Sequence, residues 1–283
     1  MPNETTIVTR FAPSPTGLLH LGHAFSALTA YHAAKEAGGR FLLRIEDIDP
    51  VRCKPAYTQA LLQDLRWLGL TWEEPVRCQS AHLADYAVAL DRLRDMGLLY
   101  PCFCTRREIG ELAAPQENVD AGPVYPGTCR NLSAAARAAL AATRPCVWRL
   151  DMARACALAG ELAWRDETRG EIRADPARFG DIVLARKDVA TSYHLSVTVD
   201  DALQGVTLVT RGEDLLPATD IHRLLQALLG LPTPRYRHHP LLRDATGRRY
   251  AKRDKALTLR ALREAGKTPA AVRELAGCGN TPL

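Results

Sequence analysis

One stretch near the start of the chain constrains the fold more than any other: residues 10–23, with the sequence RFAPSPTGLLHLGH. Residues 5–9, just before it, are short, apolar and β-branched, which predicts a buried first strand. Residues 24–37 contain no Gly or Pro, carry apolar residues at helical spacing and end at Gly38-Gly39, which predicts a helix. A strand, a proline-stiffened turn and a helix in this order open a βαβ unit, so we predict an α/β fold.

Two histidines, His20 and His23, close this stretch at the predicted start of the helix. Side chains three residues apart project from the same helix face, so the two imidazoles lie together. A helix N-terminus favours an anion through its free N–H groups and its dipole, and two imidazoles add donors there. The alternative is a capped helix with two ordinary surface histidines. Because the pair follows a Pro-Ser-Pro-Thr-Gly turn between a strand and a helix, we favour a triphosphate site.

The motif His20-Leu21-Gly22-His23 resembles the HIGH signature of class I aminoacyl-tRNA synthetases, and residues 10–14 are similar to the glutamyl and glutaminyl branch of that family. The resemblance extends from about residue 7 to about residue 260. It implies a Rossmann-type catalytic core with a small zinc-containing α/β insertion that grips the RNA end, and a short helical C-terminal tail. The implied regions are residues 1–100 and 179–234 for the two core halves, 101–178 for the insertion, and 235–283 for a basic segment and tail.

The resemblance also implies a set of residues that hold glutamate: Arg10, Phe11, Ala12, Pro13, Ser14, Glu46, Tyr193 and Arg211. Arg10 and Arg211 offer two planar forks, which suit an amino acid with two carboxylates. Glu46 ends the second predicted strand, and the matching glutamate of the family contacts the substrate amino group. The alternative is that these arginines pair with Glu46, Asp47 or Asp214 inside the protein.

A basic segment near the end of the chain is the second candidate for phosphate binding. Residues 235–263 contain ten Lys/Arg and two Asp, a local charge of +8 in a chain of net charge +5. Such a segment is typical of a phosphate or nucleic-acid partner, although a solvated helix face has the same composition. Residues 249–253 (RYAKR) occupy the place of the family's KMSKS loop, with Lys252 kept and Arg249 and Ala251 differing. The resemblance thus implies ATP binding, with Mg²⁺, by His20, Gly22, His23 and Lys252, and of these it implies His20, His23 and Lys252 as the catalytic residues.

Eight cysteines in a chain that begins nothing like a signal peptide favour metal ligation or free thiols over disulfides. Cys102 and Cys104 form a C-x-C pair and Cys129 follows 25 residues later, three thiolates of the kind that zinc prefers. The spacing leaves the fourth ligand open, and three free cysteines or a water ligand are the alternatives. The family's ligand pattern implies Tyr125 as the fourth ligand of a structural zinc ion. The remaining thiols are interpreted as ordinary ones: Cys53, Cys78, Cys146, Cys156 and Cys278.

Elsewhere the pattern predicts alternating helices and strands. Helices are predicted at residues 56–68, 81–96, 133–142 and 220–229, with one basic helix after residue 256, and strands at 40–46, 146–150, 162–165, 171–173 and 206–210. Residues 181–185 and 193–199 alternate apolar and polar side chains. They predict a β-hairpin whose turn is residues 186–192.

The implied reaction is the attack of glutamate on ATP, giving glutamyl-adenylate and pyrophosphate. A synthetase core that ends where this sequence ends is similar to the branch that transfers glutamate to queuosine, the modified wobble base of tRNA(Asp). The alternatives are a truncated enzyme that charges tRNA(Glu), a non-catalytic RNA-binding relative, and a small-molecule adenylyltransferase with the same HxGH turn. No apolar run approaches 18 residues and the chain begins nothing like a signal peptide, so we expect a cytoplasmic protein that does not bind a membrane. We also expect no obligate protein partner.

Overall fold

The computed structural model describes residues 6–112, 124–186, 189–242 and 258–278. The strands are β1 Val8–Phe11, β2 Arg40–Ile45, β3 Glu73–Cys78, β4 Leu99–Cys102, β5 Val147–Leu150, β6 Ala163–Asp166, β7 Gly170–Arg173, β8 Val183–Ala185, β9 Leu208–Gly212 and β10 Arg235–His239. The helices are α1 Leu21–Glu36, α2 Pro55–Trp67, α3 Leu83–Asp95, α4 Arg106–Leu112, α5 Ala134–Thr143, α6 Met152–Ala159, α7 Tyr193–Leu203, α8 Ala218–Leu229, α9 Leu259–Glu264 and α10 Pro269–Leu275. The predicted α/β class is confirmed.

Two mostly parallel sheets form the core and lie side by side. The first has the order β1-β2-β3 and the second the order β7-β6-β10-β9, in which only β6 and β7 are antiparallel. Thr207, just before β9, joins them: its N–H donates to the Val8 carbonyl at 3.0 Å, and its hydroxyl accepts from the Val8 N–H at 2.8 Å. Strands β1 and β9 are thus neighbours that are far apart in sequence. This is the switch point at which parallel α/β sheets bind ligands.

Helix α1 lies against the switch point because its buried positions are mostly small. Ala24, Ala27 and Ala30 are fully buried, and the Thr9 hydroxyl of β1 donates to the Ala30 carbonyl at 2.7 Å. After the helix, a Cβ at Gly39 would lie 2.1 Å from the carbonyl oxygen of Ile7. Only glycine permits this close approach, which lets the chain turn directly from α1 into β2.

The segment predicted as an insertion contributes to two different sheets. Its strand β5 pairs with β4, at the start of the segment, and with β8, which follows the predicted boundary at residue 178, in a separate antiparallel sheet. The hairpin β6–β7 instead extends the core sheet, where Asp166 pairs with Tyr236 of β10. The indole N–H of Trp164 on β6 donates to Asp220 of α8 at 2.8 Å, which anchors this hairpin in the core. Part of the segment therefore supports the second half of the core directly.

The prediction of a β-hairpin from residues 181–185 and 193–199 is wrong. The first part contains strand β8, but residues 193–203 form helix α7. The side chain of Ser192 caps the helix by accepting the N–H of Leu195 at 3.3 Å. Every residue from 195 to 201 is buried, since α7 packs between α3 and α8. A helix buried on all sides has no polar face, and its β-branched residues then give a strand-like pattern.

The chain after residue 257 forms two short helices, α9 and α10, where the sequence predicts one. The hydroxyl of Thr258 caps α9, and the N–H of Leu259 donates to the carbonyl of Leu19 at 2.9 Å. The start of α9 therefore lies against the turn that precedes α1. The KMSKS-like residues with Lys252 lie outside the described residues.

Within the described ranges, none of the helices combines the length and the apolar character that crossing a lipid bilayer takes.

Candidate active site

A cavity of about 660 Å³ opens at the carboxyl ends of β1, β2, β9 and β10. The eight residues predicted to hold glutamate all line this cavity, and so do His20, Gly22 and His23 of the predicted phosphate site. Elements from both halves of the core thus converge on one crevice. Of all the predicted site residues, Lys252 alone lies outside the described part of the chain.

The turn between β1 and α1 is held in place by backbone hydrogen bonds to the chain that follows β2. The carbonyl of Pro13 accepts the N–H of Glu46, and the carbonyl of Pro15 accepts the N–H of Lys54, both at 3.1 Å. Proline carbonyls accept as well as any others, while the rings fix the turn. Glu46 is therefore tied directly to the turn.

His20 and His23 cap helix α1 reciprocally. His20 Nδ1 accepts the N–H of Gly22 at 3.1 Å, and His23 Nδ1 accepts the N–H of His20 at 3.2 Å, with the ring centroids 3.8 Å apart. In a neutral imidazole that accepts at Nδ1, the proton is on Nε2. Both rings thus carry an N–H donor at the positively polarised end of α1, which suits an anionic ligand.

A buried charge network lies below the crevice. Asp201 of α7 places Oδ1 at 3.0 Å from Arg10 Nε and 2.8 Å from Arg44 Nη1. Glu46 Oε1 lies 3.2 Å from Arg44 Nη2. Arg10 is therefore paired inside the protein, but with Asp201 and not with the three acids considered from the sequence.

Glu46 keeps carboxylate capacity for a ligand in the crevice. Its side chain is 7% exposed, and Arg44 is its ion-pair partner within the described part of the chain. Burial raises the pKa of Glu46, and the charges of Arg44 and Arg10 oppose this rise. Desolvation of this kind makes an incoming ammonium group a favourable partner. Burial also raises the pKa of Tyr193, so its phenol stays protonated.

Arg211 differs from Arg10 because its hydrogen-bond partners are uncharged. Its Nε donates to His238 Nε2 at 3.2 Å, Nη1 donates to His222 Nδ1 at 3.2 Å, and Nη2 donates to Thr219 Oγ1 at 2.6 Å. Among the described residues, no carboxylate forms an ion pair with it. The guanidinium thus faces the crevice with its charge uncompensated by a direct partner.

Sequence reasoning missed the residues that support the two arginines, namely Asp201, Thr219, His222 and His238. The Asp200-Asp201 pair was visible as two acids in an apolar run, which is a signal of buried charge partners. The histidines carried no such signal, because they come from α8 and β10 and meet only in the folded chain.

Three predicted zinc ligands form a cluster next to the end of β4. The sulfur atoms of Cys102, Cys104 and Cys129 lie within 4.8 Å of one another, and those of Cys104 and Cys129 are 3.6 Å apart. The Tyr125 hydroxyl lies 3.6 Å from Cys104 Sγ and accepts the N–H of Cys129 at 2.8 Å. All four predicted ligands are therefore brought together.

Parallel sheets that meet at a switch point, with an HxGH turn at the start of the adjoining helix, define the catalytic core of a class I aminoacyl-tRNA synthetase. The comparison with known families agrees. Residues 6–280 match the class I (E and Q) tRNA synthetase catalytic domain, and the chain belongs to this family. It is therefore a ligase.

Curated relatives are similar over nearly the whole chain. Glutamyl-Q tRNA(Asp) synthetase of Rhodobacter capsulatus is 52% identical over 277 residues, covering 96% of this chain and 100% of the relative. The Nocardia farcinica protein of the same name is 47% identical over 268 residues, covering 94% and 82%.

A solved glutamate tRNA ligase from Elizabethkingia meningosepticum, in complex with its amino acid, superposes with a TM-score of 0.74 at 30% identity. The alignment covers 88% of this chain and 52% of that structure, so the chain spans about half the length of this ligase.

Proposed function

We propose that this enzyme uses ATP to activate glutamate and transfers the glutamyl group to queuosine at the wobble position of the tRNA(Asp) anticodon. The observation that carries the proposal is a single cavity lined by Glu46, by Arg211 and by the His20–His23 turn. Such a cavity offers an acid for an amino group, a cation for a carboxylate and N–H donors for phosphates. The names of the relatives from Rhodobacter capsulatus and Nocardia farcinica support the acceptor.

In the first step, a glutamate α-carboxylate oxygen attacks the α-phosphorus of ATP, pyrophosphate leaves and glutamyl-adenylate forms. No side chain needs to form a covalent bond, so catalysis is positioning and charge neutralisation. Arg10, Arg211, Glu46 and Tyr193 hold the amino acid, together with Ser14 and the backbone of residues 11–13. An arginine is available for each of the two carboxylates of glutamate. The uncharged side chain of glutamine would leave one of these arginines less well matched.

The phosphates are held on the other side of the same crevice. His20 and His23 line this part of the cavity, and their Nε2–H groups at the N-terminus of α1 are donors for the phosphates. The family resemblance assigns a further cation to Lys252. Mg²⁺ that arrives with ATP supplies further charge neutralisation when bound. Together these groups stabilise the charge that develops on the leaving pyrophosphate.

In the second step, a hydroxyl of the acceptor attacks the carbonyl carbon of the adenylate and AMP leaves. The cyclopentenediol of queuosine presents a cis-diol much like that of a terminal ribose. A pocket shaped for a ribose diol can therefore accept the modified base. This chemical likeness supports an anticodon loop as the acceptor.

We further propose that the cysteine cluster holds one structural zinc ion. At a Zn–S distance of about 2.3 Å, tetrahedral geometry places two sulfur ligands about 3.8 Å apart, close to the 3.6 Å between Cys104 and Cys129. The Tyr125 hydroxyl, with Cys102, completes a set of four ligands. The donors thus fit zinc in kind, number and spacing.

Transfer of labelled glutamate tests the proposed function. Purified enzyme, ATP and labelled glutamate are incubated with tRNA(Asp) that carries queuosine, with tRNA(Asp) that lacks it, and with tRNA(Glu). We expect label on the queuosine-containing tRNA alone. Equal labelling of both tRNA(Asp) samples would contradict the acceptor, and labelling of tRNA(Glu) would identify a tRNA-charging enzyme. Absence of glutamate-dependent ATP–pyrophosphate exchange would contradict the activation step.

A further inference from the structure

Arg211 sits in a cage of side chains that the known chemistry of the site does not require. The residue is 6% exposed, and three of its five N–H donors are bound by His222, His238 and Thr219. All three acceptors are themselves buried, with exposures of 3%, 3% and 0%. The cage therefore fixes the plane of the guanidinium and leaves two donors for a ligand.

The guanidinium sets the protonation of both histidines, because it only donates. His222 accepts at Nδ1, so its proton is on Nε2, which lies 3.1 Å from Nδ1 of His194. His238 accepts at Nε2, so its proton is on Nδ1, which lies 2.7 Å from the Asp166 carboxylate. Each imidazole thus has one tautomer in which every contact is satisfied.

Both imidazoles stay uncharged at neutral pH. Burial lowers the pKa of His238 to about 4, and the charge of Arg211 adds to this effect, while Asp166 opposes it. Burial and Arg211 also hold the pKa of His222 well below its usual value. A protonated ring at either position would face a buried cation, which is strongly unfavourable.

The Asp166 carboxylate is not a direct ion-pair partner of Arg211. It accepts five hydrogen bonds from its own surroundings: the N–H and hydroxyl of Thr168, the N–H of Arg169, and the N–H and Nδ1–H of His238. An imidazole also separates it from the guanidinium. The role of this acid is to fix the tautomer of His238.

The two other buried arginines at the site show the contrast. Arg10 has a carboxylate at 3.0 Å and Arg44 has one at 2.8 Å, both from Asp201. A buried cation without an ion-pair partner is costly unless a ligand supplies the opposite charge. Among the residues that the structure describes, Arg211 has hydrogen-bond acceptors but no ion-pair partner.

We infer that His222 and His238 are positioning residues that hold Arg211 through uncharged acceptors, so that its full charge is available to a substrate carboxylate. The inference rests on the proposed function, in which that substrate is glutamate. It assigns to α8 and β10, and through Asp166 to β6, a part in amino-acid binding. Replacement of a neutral acceptor by a charged one would then satisfy Arg211 internally and weaken glutamate binding.

Two substitutions at His222 separate positioning from mere structural support. His222→Asn keeps an uncharged acceptor near the Nδ1 position, whereas His222→Asp puts a carboxylate at the same place. We expect glutamate affinity, measured by calorimetry, to stay within about 3-fold for Asn and to fall about 10-fold or more for Asp. The same split is expected in KM for glutamate in ATP–pyrophosphate exchange, with KM for ATP unchanged. A third variant, His238→Gln, keeps an acceptor near Nε2 and should behave as His222→Asn does.

The thermal midpoint of each variant is measured beside its affinity. A purely structural role predicts that Asp is at least as good as Asn, since a carboxylate bonds the guanidinium more strongly. Equal glutamate affinity of the two folded variants would overturn the inference, and so would an equally large loss in both. A wild-type protein that binds glutamate but shows no pyrophosphate exchange would contradict the proposed function instead, and the comparison of affinities would still stand.

Discussion

Arg10 Nε lies 3.0 Å from Asp201 Oδ1, and this buried ion pair joins the two halves of the nucleotide-binding core. Arg10 belongs to β1 and Asp201 to α7, which are separated by almost 200 residues in the sequence. The same carboxylate oxygen also binds Arg44 of β2 at 2.8 Å. One acid on the second half therefore fixes two strand ends of the first half, directly below the crevice.

Asp201→Asn is expected to destabilise the protein by about 3–5 kcal/mol, because it removes the charge partner of the buried Arg10 and one of the carboxylate partners of Arg44. Burial alone would raise the pKa of Asp201, but Arg10 and Arg44 outweigh it and hold the pKa below its usual value. Urea unfolding followed by circular dichroism measures the change. Glu161→Gln is the matched control, since its ion pair with Arg173 is exposed and should contribute about 1 kcal/mol or less. Equal effects of the two substitutions would contradict the assignment.

The parts of the fold that were predictable from the sequence are those with local signals. The turn at residues 10–23, its flanking strand and helix, and the helix at the 220–229 region carry proline, glycine and periodicity cues that hold in isolation. Helix α7 was not predictable in this way because it is buried on every side, so its apolar pattern has no helical period. The cap at Ser192 was the available cue.

The candidate site likewise contains residues that the sequence predicts and residues that it does not. Glu46 and Arg211 stand at strand ends, where chain position alone indicates the crevice. The supports of Arg211 come from three elements, and no spacing in the sequence relates His222 to His238 or to Asp166. Such contacts depend on tertiary packing, which a single sequence does not reveal.

The protein should lose stability as the pH falls from about 6.5 to about 4. In the unfolded chain His238 protonates near its ordinary pKa of about 6.5, whereas in the folded protein burial lowers its pKa to about 4. The unfolded state then binds more protons in this range, so the free energy of unfolding decreases by up to about 1.4 kcal/mol per pH unit for each such histidine. Above pH 7 both states are neutral and the effect vanishes. Urea unfolding at a series of pH values measures the slope.

His238→Gln removes one of these protonation sites and keeps an acceptor for Arg211. The slope of the unfolding free energy against pH should therefore decrease by the contribution of one histidine, which is up to about 1.4 kcal/mol per pH unit. Asp166 stays ionised throughout this range, because hydrogen bonds from Thr168 and His238 outweigh its burial and lower its pKa to about 2. An unchanged slope in the variant would show that His238 titrates normally in the folded state.

Two substitutions of His20 separate its capping role from its proposed catalytic role. Asparagine is a good N-cap, so His20→Asn should leave stability nearly unchanged, whereas His20→Ala should cost about 1 kcal/mol. Both remove the Nε2–H donor that we assign to the phosphates. We expect kcat for ATP–pyrophosphate exchange to fall about 100-fold in both variants. Full activity of His20→Asn would restrict His20 to a cap of α1.

Removal of the proposed zinc ion should unfold the region around the cysteine cluster before it affects the crevice. We expect one zinc ion per chain in protein purified without chelator, measured by mass spectrometry of the metal, and none in Cys129→Ser, because only two thiolates would remain in the ligand set. Zinc that is bound only by the folded state stabilises it by about 4 kcal/mol at a free concentration about 1,000 times Kd.

The control for this loss is Cys156→Ser, a half-buried thiol of α6 that lies outside the cluster. It should retain the metal and most of the stability of the unmodified protein. Tyr125→Phe keeps the ring over which Arg149 packs but removes the phenolic oxygen, so it should bind zinc more weakly than the unmodified chain and more tightly than Cys129→Ser. Stoichiometric zinc in Cys129→Ser would show that Cys129 is not a ligand, and absence of zinc from the unmodified protein would contradict the zinc site itself.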